Sequence, residues 1–420
     1  MTRPRVLMTV PDVAWPLDGG KRLRVESVIR AVAARADADV AVLFADGDPT
    51  VRPLPPDVDV RRWAFVPPRR QAAVRTAALL AARRVPWQVA AAPWPEVRAQ
   101  LHAWRGPWDL VWFGALDHAI SLHGIVSADR VVVDCDDVET DKWRGFLASQ
   151  GRTALPLRER LQRRVELPLW NRLQRHALAC ADLVLVCSEL DRARLLRDSG
   201  PGRIAVVPNT YPGPAQVLHP RPQGECTLVV IANYGTDQNV DGATYAATRL
   251  LPHLRASVPG ARLRLVGRRS ERLAHLTRTE GLDIIGAVDD VRAELAGAHA
   301  VLVPLRYGGG TRLKVLEAMS HGVPVISTQL GAEGLDAVDG RHLLIADTPE
   351  KTTAAVLRLL ASPALAERLV RAGRALYDER FRPEATTRAV SRLLDALLSG
   401  DQARRPAGIT AGRQAGRRDA

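Results

Sequence analysis

The sequence predicts an α/β fold: two doubly wound, Rossmann-like domains in tandem, facing each other across an interdomain cleft. Three observations carry this expectation. The chain has 420 residues, too many for one ordinary core and suited to two domains with a tail. Short apolar segments alternate with amphipathic helical segments through both halves. Between the halves lies TYPGPAQVLHPRPQGE, rich in Pro and Gly and without periodicity, which reads as a linker. Hydrophobic residues make up 46% and charged residues 25%, the balance of a globular chain.

In the first half, RVLMTV reads as a buried strand and PDVAWPLDGGKR as a loop. LRVESVIRAVAARA then reads as a helix and ADVAVLFA as a second strand. Strand, loop, helix and strand form a βαβ unit, whose right-handed crossover makes the strands parallel. Further strands are expected at DLVWFGA, RVVVDC and ADLVLVCS. VRTAALLAARRVPW is a short basic amphipathic helix, suited to covering a sheet or touching a membrane surface. After the linker, CTLVVIAN, ARLRLVG, LDIIGAV, AVLVPL and PVISTQ read as strands. The helices between them fall on DGATYAATRLLPHLRAS, SERLAHLTRTEG, VRAELAGA and TRLKVLEAMSHG. The expected division is a first domain over residues 1–207, a linker at 208–224 and a second domain over 225–375. C-terminal helices at 376–400 would pack back on the first domain, followed by a disordered basic tail at 401–420.

The net charge is +13, from 59 basic and 46 acidic residues. Only four of the basic residues are lysines (Lys21, Lys142, Lys314 and Lys351), so most of the excess is arginine, as a GC-rich genome writes it. The charge admits a polyanionic partner: nucleotide phosphates, an anionic membrane surface or nucleic acid. No apolar run approaches the ~20 residues of a membrane span. The N-terminal MTRPRVLMTVPDVAW has too short an apolar stretch for a signal peptide, so a cytoplasmic protein with peripheral membrane contact at most is expected. Cys135, Cys180, Cys187 and Cys226 show no CxxC pairing and no nearby histidine cluster. They read as buried small side chains in a reducing compartment, and no metal is expected.

The densest chemical signal is PLRYGGGTRLKVLEAMSHGVPVISTQLGAEGL at residues 304–335. A strand ends, three glycines (Gly308, Gly309, Gly310) strip side chains from the turn, and a helix starts near Thr311. Amides at a helix start, with the dipole behind them, suit an anionic phosphate. Arg312 and Lys314 in the first turn oppose that dipole unless an anion lies between them. Glu317, one to two turns in, is placed to accept from ribose hydroxyls. The plain alternative is a surface glutamate beside an ordinary turn.

This string resembles the donor-site signature of retaining glycosyltransferases of the GT-B fold, family-4 type, in the variant with GGGTRxKVLEAM. LVG followed by Arg268, ADLVLVCSELDRARL with VVPN, and NVDG at 239–242 are similar to further elements of that family. Many relatives carry two glutamates eight residues apart; here the second is Glu317 and the first position holds Gly309. The usual Gly-Arg pair and lysine that open the second domain are replaced by Ala232, Asn233 and Asn239, which moves the cationic role to Arg312 and Lys314. The resemblance implies a nucleotide-diphosphate sugar as co-substrate, no metal, and a small-molecule, glycan or lipid-linked acceptor. It further implies that Gly19 and Gly20 face the donor phosphates, with Lys21, Arg22 and Arg24 following as site cations or as a solvated helix start. Asp117 and His118 follow DLVWFGA where relatives place an acceptor-side histidine.

VVVDCDDVETDKW has two readings. Asp134 and Asp136 match the spacing of a metal-binding DxD. The position late in the first domain suits an acceptor loop better, with Asp136, Asp137, Glu139 and Lys142 on sugar hydroxyls and Trp143 as a stacking platform; a capped helix start is the structural alternative. The competing functions are a nucleotide-sugar epimerase or phosphorylase on the same fold, and a non-catalytic basic membrane-surface or nucleic-acid binder. Aromatics at 5%, not interleaved with basic runs, argue against nucleic acid.

Overall fold

The computed structural model describes residues 3–13, 20–44, 54–55, 57–66, 85–86, 89–90, 92–136, 138–148, 157–217, 224–309 and 312–398. The amphipathic segment at 74–87 lies almost wholly outside the described residues, as does the tail at 401–420. The first sheet contains β1 (Arg5–Val10), β2 (Asp37–Leu43), β3 (Arg62–Val66), β4 (Trp108–Phe113), β5 (Ala128–Asp134), β6 (Leu183–Val186) and β7 (Ile204–Val206). Its order is β3-β2-β1-β4-β5-β6-β7, and every pairing is parallel. The second contains β8 (Thr227–Ile231), β9 (Arg262–Val266), β10 (Leu282–Gly286), β11 (Ala300–Val303), β12 (Val325–Ser327) and β13 (Leu344–Ile345). It runs β10-β9-β8-β11-β12-β13, again parallel throughout.

These orders fix where a ligand can sit. In the first sheet β1 lies between β2 and β4, so the chain leaves to one side and returns to the other. In the second sheet β8 lies between β9 and β11 in the same way. At such a switch point the following loops diverge and open a crevice at the carboxyl ends of the strands. The strands read as near-continuous apolar runs because helices cover both faces. One layer of the first domain packs Met8, Val28, Ile29 and Trp112, and the other packs Leu7, Phe113, Leu122 and Trp170.

The sequence reading missed β3. Its strand is short and begins at an arginine, yet Arg61 and Arg62 both close on Asp39, a fully buried carboxylate that also accepts from Trp108 Nε1 at 2.7 Å. SERLAHLTRTEG forms a 3-10 helix over Ser270–Leu276 rather than an α-helix. The helix expected near Thr311 spans Leu313–His321, with Arg312 as its N-cap residue.

The linker and the C-terminal helices join the domains. Residues 208–217 carry no helix or strand. Tyr377 Oη donates to Tyr211 O and accepts from Gly213 N, both at 2.8 Å, while Thr386 Oγ1 donates to Pro208 O at 2.8 Å. Leu376, Tyr377 and Phe381, at the end of the Pro363–Arg380 helix, belong to the second domain's core. Val390, Leu394 and Leu397 of the Pro383–Leu398 helix lie in the first domain's core beside Val25 and Val28. The chain therefore crosses back at 381–383, not at 376.

A buried ion pair holds the floor of the first domain. Arg24 sits 5% exposed in the Gly20–Ala33 helix, and its guanidinium binds both oxygens of Asp134, itself 4% exposed at the end of β5. Arg24 Nη1 also donates to Val207 O at 2.9 Å and to Asn209 Oδ1 at 2.7 Å. One side chain thus ties the first helix, β5 and the entry to the linker.

Arg24→Leu leaves Asp134 buried without its counter-charge and is expected to cost about 3–5 kcal/mol in denaturant unfolding; a loss below about 1 kcal/mol contradicts the role given to the pair. Leu394→Ala, remote in sequence from the first domain, is expected to cost that domain about 2–4 kcal/mol. An unchanged first-domain transition would show that the last helix is not part of its core.

Candidate active site

The contacts between the domains join segments that follow strand carboxyl ends. Gly20 opens the helix after β1 and lies so close to Leu313, in the helix after β11, that a β-carbon there would strike the leucine methyl. Arg194, in the Glu189–Ser199 helix after β6, pairs with Glu333 beyond β12 at 3.0 Å. Arg163 reaches Asp237, which opens the helix after β8, at 3.5 Å. A β-carbon on Gly145 would stand 4.0 Å from the amide nitrogen of Gly308. The glycine loop after β11 therefore faces the Glu139–Ala148 helix of the first domain, and the helix that follows the loop meets the start of the Gly20–Ala33 helix.

That loop is built by Arg312. Only 4% exposed, its guanidinium donates to Gly309 O at 2.7 Å, Gly308 O at 3.1 Å and Leu330 O at 3.1 Å. The expectation that Arg312 and Lys314 act together on a diphosphate is thus modified, because Arg312 is turned back into the loop and holds its shape. Gly308 adopts a φ of +127°, and a β-carbon there would also run into the Gln238 amide. Gly309 is half-buried beside it; Gly19, Asp137, Gly310 and Thr311 lie outside the described residues, and of Lys142 only the backbone is described.

Lys314 is the cation left facing the other strand ends. Its ammonium donates to Asn239 Oδ1 at 2.7 Å, and Asn239 Nδ2 is anchored on Asn233 O at 2.8 Å. The uncharged opening of the second domain thus serves as the mount for a lysine that arrives from the neighbouring helix. Burial pushes the Lys314 pKa down to about 7, Arg312 adds to the shift, and Glu317 opposes it. One turn on, Glu317 accepts from Tyr211 Oη at 2.6 Å; burial raises its pKa, against the pull of Tyr211 and Lys314. Tyr211 belongs to the linker and was not anticipated from the sequence, where it sat in a stretch read only for Pro and Gly. Arg268 is exposed at the end of β9, and its carbonyl accepts from Tyr234 N at 2.9 Å.

On the first-domain side, Lys21 is exposed at the start of the Gly20–Ala33 helix and near enough to act electrostatically on His118 and Asp136. Arg22 pairs with Asp12 at 3.2 Å. Asp117 is half-buried in the first turn of the Leu116–Leu122 helix. His118, beside it, is 1% exposed, contacts Thr9 Oγ1 at 3.0 Å, and packs edge-on to Phe44 and Trp94. Burial lowers its pKa, which favours a neutral imidazole beneath the surface rather than an exposed acid or base.

The aspartates after β5 do not form an open metal pair. Asp134 is taken up by Arg24, and Asp136 Oδ1 accepts from Asn209 Nδ2 at 2.7 Å and from the Cys187 thiol at 3.1 Å. Asp136 still keeps about a third of its side chain exposed (32%), enough to meet a ligand from the crevice. Glu139 opens the Glu139–Ala148 helix in its first turn, where a carboxylate complements the dipole. Trp143 departs from the stacking platform expected of it: Arg163 already covers its ring at 5.2 Å, and the indole N–H is buried without a partner.

Comparison with known proteins places this geometry. Residues 225–362 match the family model described as glycosyl transferases group 1. A search of curated proteins found no match. Sucrose-phosphate synthase from Thermosynechococcus elongatus superposes with a TM-score of 0.67 at 18% identity, over 95% of this chain and 100% of that one. Anabaena HepE, in a structure with UDP and glucose, gives 0.60 at 14% identity, over 94% and 100%. WaaG, a glycosyltransferase involved in lipopolysaccharide biosynthesis, gives 0.61 at 15% identity, again over 94% and 100%. The two parallel-sheet domains therefore have the GT-B fold, with a glycosyl transferases group 1 match in the second of them.

Proposed function

We propose that the protein is a glycosyltransferase that moves a sugar from a nucleotide-diphosphate sugar to an acceptor hydroxyl with retention of configuration. The observation that carries this reading is Lys314: a partly buried ammonium at a helix start, mounted on Asn239 beside a glycine loop, with a pKa held near 7. Such a group is poorly placed on its own and well placed beside a diphosphate. As the bond to the anomeric carbon breaks, negative charge grows on the leaving diphosphate. Lys314 and the first amides of the Leu313–His321 helix stabilise it there. Arg312 acts through the loop, by keeping the Gly308 and Gly309 carbonyls turned away from the anion. Glu317, oriented by Tyr211, accepts from the ribose hydroxyls.

Retention follows the family resemblance: the leaving phosphate oxygen takes the acceptor proton on the same face that the acceptor attacks, so no side-chain nucleophile is required. The acceptor enters over Lys21, Asp117 and Asp136. Closure of the two domains excludes water that would otherwise hydrolyse the donor. The match to glycosyl transferases group 1 and the UDP and glucose in the HepE structure support a nucleotide-sugar donor. No described helix is long and apolar enough to cross a membrane, and Arg83 and Arg84 of the basic amphipathic segment VRTAALLAARRVPW lie outside the described residues.

A screen of UDP-, GDP- and dTDP-sugars for hydrolysis and transfer tests the donor, and product analysis with and without acceptor separates transfer from epimerisation or phosphorolysis. Lys314→Ala is expected to lower kcat about 100- to 1000-fold with an unchanged circular dichroism spectrum; near-normal turnover would refute the donor site. Tyr211→Phe is expected to raise KM for the donor about tenfold, and an unchanged KM would remove Glu317 from the ribose. Since Asp134 and Asp136 are engaged elsewhere, EDTA is expected to leave the rate unchanged. Strict dependence on added Mn²⁺, abolished by Asp136→Ala, would contradict that.

A further inference from the structure

Three side chains on the far side of the first domain converge without any part in the reaction above. His123, His176 and Cys180 bring their ligand atoms within 4.8 Å of one another, the only such group of three or more His, Cys, Asp or Glu among the described residues. The sequence reads Cys180 as a buried small side chain with no histidine cluster nearby; the fold leaves it half-buried and brings two histidines to it. His176 and Cys180 are four apart in the Leu157–Cys180 helix and so share one face of it. His123 arrives from the adjoining element as the C-cap residue of the Leu116–Leu122 helix, its N–H bonded to Ala119 O at 2.8 Å.

The backbones beneath are not free to drift apart. Ala119 and Leu122 on one helix, with Leu173 and Ala177 on the other, are buried in the same core. The two imidazoles meet nearly edge to face, with centroids 5.9 Å apart, and the Cys180 thiol makes only a long contact to Ala177 O at 3.7 Å. Both histidines are exposed and the cysteine is half-buried, so the group is open to solvent on one side.

We infer that His123, His176 and Cys180 form a binding site for a borderline-soft divalent cation of the zinc class, with water in a fourth position. Two imidazoles and one thiolate are the donor set such an ion selects, whereas magnesium or calcium would require oxygen ligands. The ligand atoms, now within 4.8 Å of one another, would draw closer by side-chain rotation to share one ion. Burial keeps the Cys180 thiol up at about 11, so binding at neutral pH releases its proton to solvent as the sulfur–metal bond forms.

The location argues for a structural role. Cys180 lies just before β6 and His123 just before β5, so the site is at the amino ends of the strands, the opposite edge from Lys314 and the carboxyl ends. The cation would pin the long helix to the segment that leads into β5, and sugar transfer would not depend on it.

The test uses the full chain, stripped with EDTA, exchanged into reducing buffer without chelator and titrated with Co²⁺ alone. One equivalent is expected to produce a thiolate-to-cobalt charge-transfer band together with the visible bands of a tetrahedral ion. Zn²⁺ is expected to displace the Co²⁺ and to raise the melting temperature. Cys180→Ser is expected to lose the charge-transfer band, and His176→Ala and His123→Ala each to weaken Co²⁺ about tenfold or more. All three changes lie at the solvent edge, and circular dichroism checks that each variant folds. Absence of the band in the stripped wild-type protein would overturn the proposal. So would the same Co²⁺ affinity in both histidine variants.

Discussion

The contact on which the molecule depends most is Arg24 with Asp134. A charge taken out of water at that depth is costly unless it is fully paired. Here the guanidinium meets both carboxylate oxygens of Asp134 and then reaches Val207 O and Asn209 Oδ1. Burial raises the Asp134 carboxyl pKa on balance, while the charge and the bidentate hydrogen bonds of Arg24 pull it down. Because Asn209 in turn holds Asp136, the same arginine sets the crevice-facing carboxylate and the point at which the chain leaves the first domain. Two residues later the linker supplies Tyr211, whose hydroxyl fixes Glu317 in the second domain. Hydrogen bonds at either end of a short stretch of linker backbone, Arg24 to Asn209 and Tyr211 to Glu317, therefore connect the floor of one domain to the candidate donor site of the other.

The large positive charge takes on a narrower meaning in this frame. Much of the arginine is committed within the domains: Arg61 and Arg62 to Asp39, Arg306 to Asp241, Arg262 to Asp283. Arg163 and Arg194 are committed across the interface. A guanidinium, rigid and always charged, suits such paired positions. Lys314 is a compact ammonium whose charge responds to its surroundings, and its pKa near 7 lets the site gain positive charge when an anion arrives. The distinction explains why one lysine among many arginines carries the functional argument.

Both domains and most strands were legible in the sequence, because apolar runs of strand length and helical spacings depend only on near neighbours. What escaped depended on partners far along the chain. Helical periodicity leaves Arg24 looking like one more cation at a helix start; its partner Asp134 is 110 residues away. β3 begins at Arg62, just after Arg61, and the sense of both arginines comes from Asp39 on the adjacent β2. Arg312 and Lys314 stand two apart and look equivalent in the sequence, yet one turns inward to the loop and the other outward to Asn239. The His176 and Cys180 spacing was readable as one face of a helix, but His123 joins them only through the packing of two helices.

The central claim is that Lys314 contacts the donor diphosphate, and the dependence of donor affinity on pH tests it most directly. In the free protein Lys314 gives up its proton as pH rises through about 7, and a bound diphosphate would raise that pKa. Donor affinity should therefore be level below about pH 7 and fall above it, by up to about tenfold per unit, as binding has to draw a proton from solution. Isothermal titration with the nucleotide sugar that the enzyme turns over, from pH 6 to 9, should show this fall in the wild-type protein and lose it in Lys314→Met. An affinity level across the whole range, or an equal fall in the variant, would contradict the account.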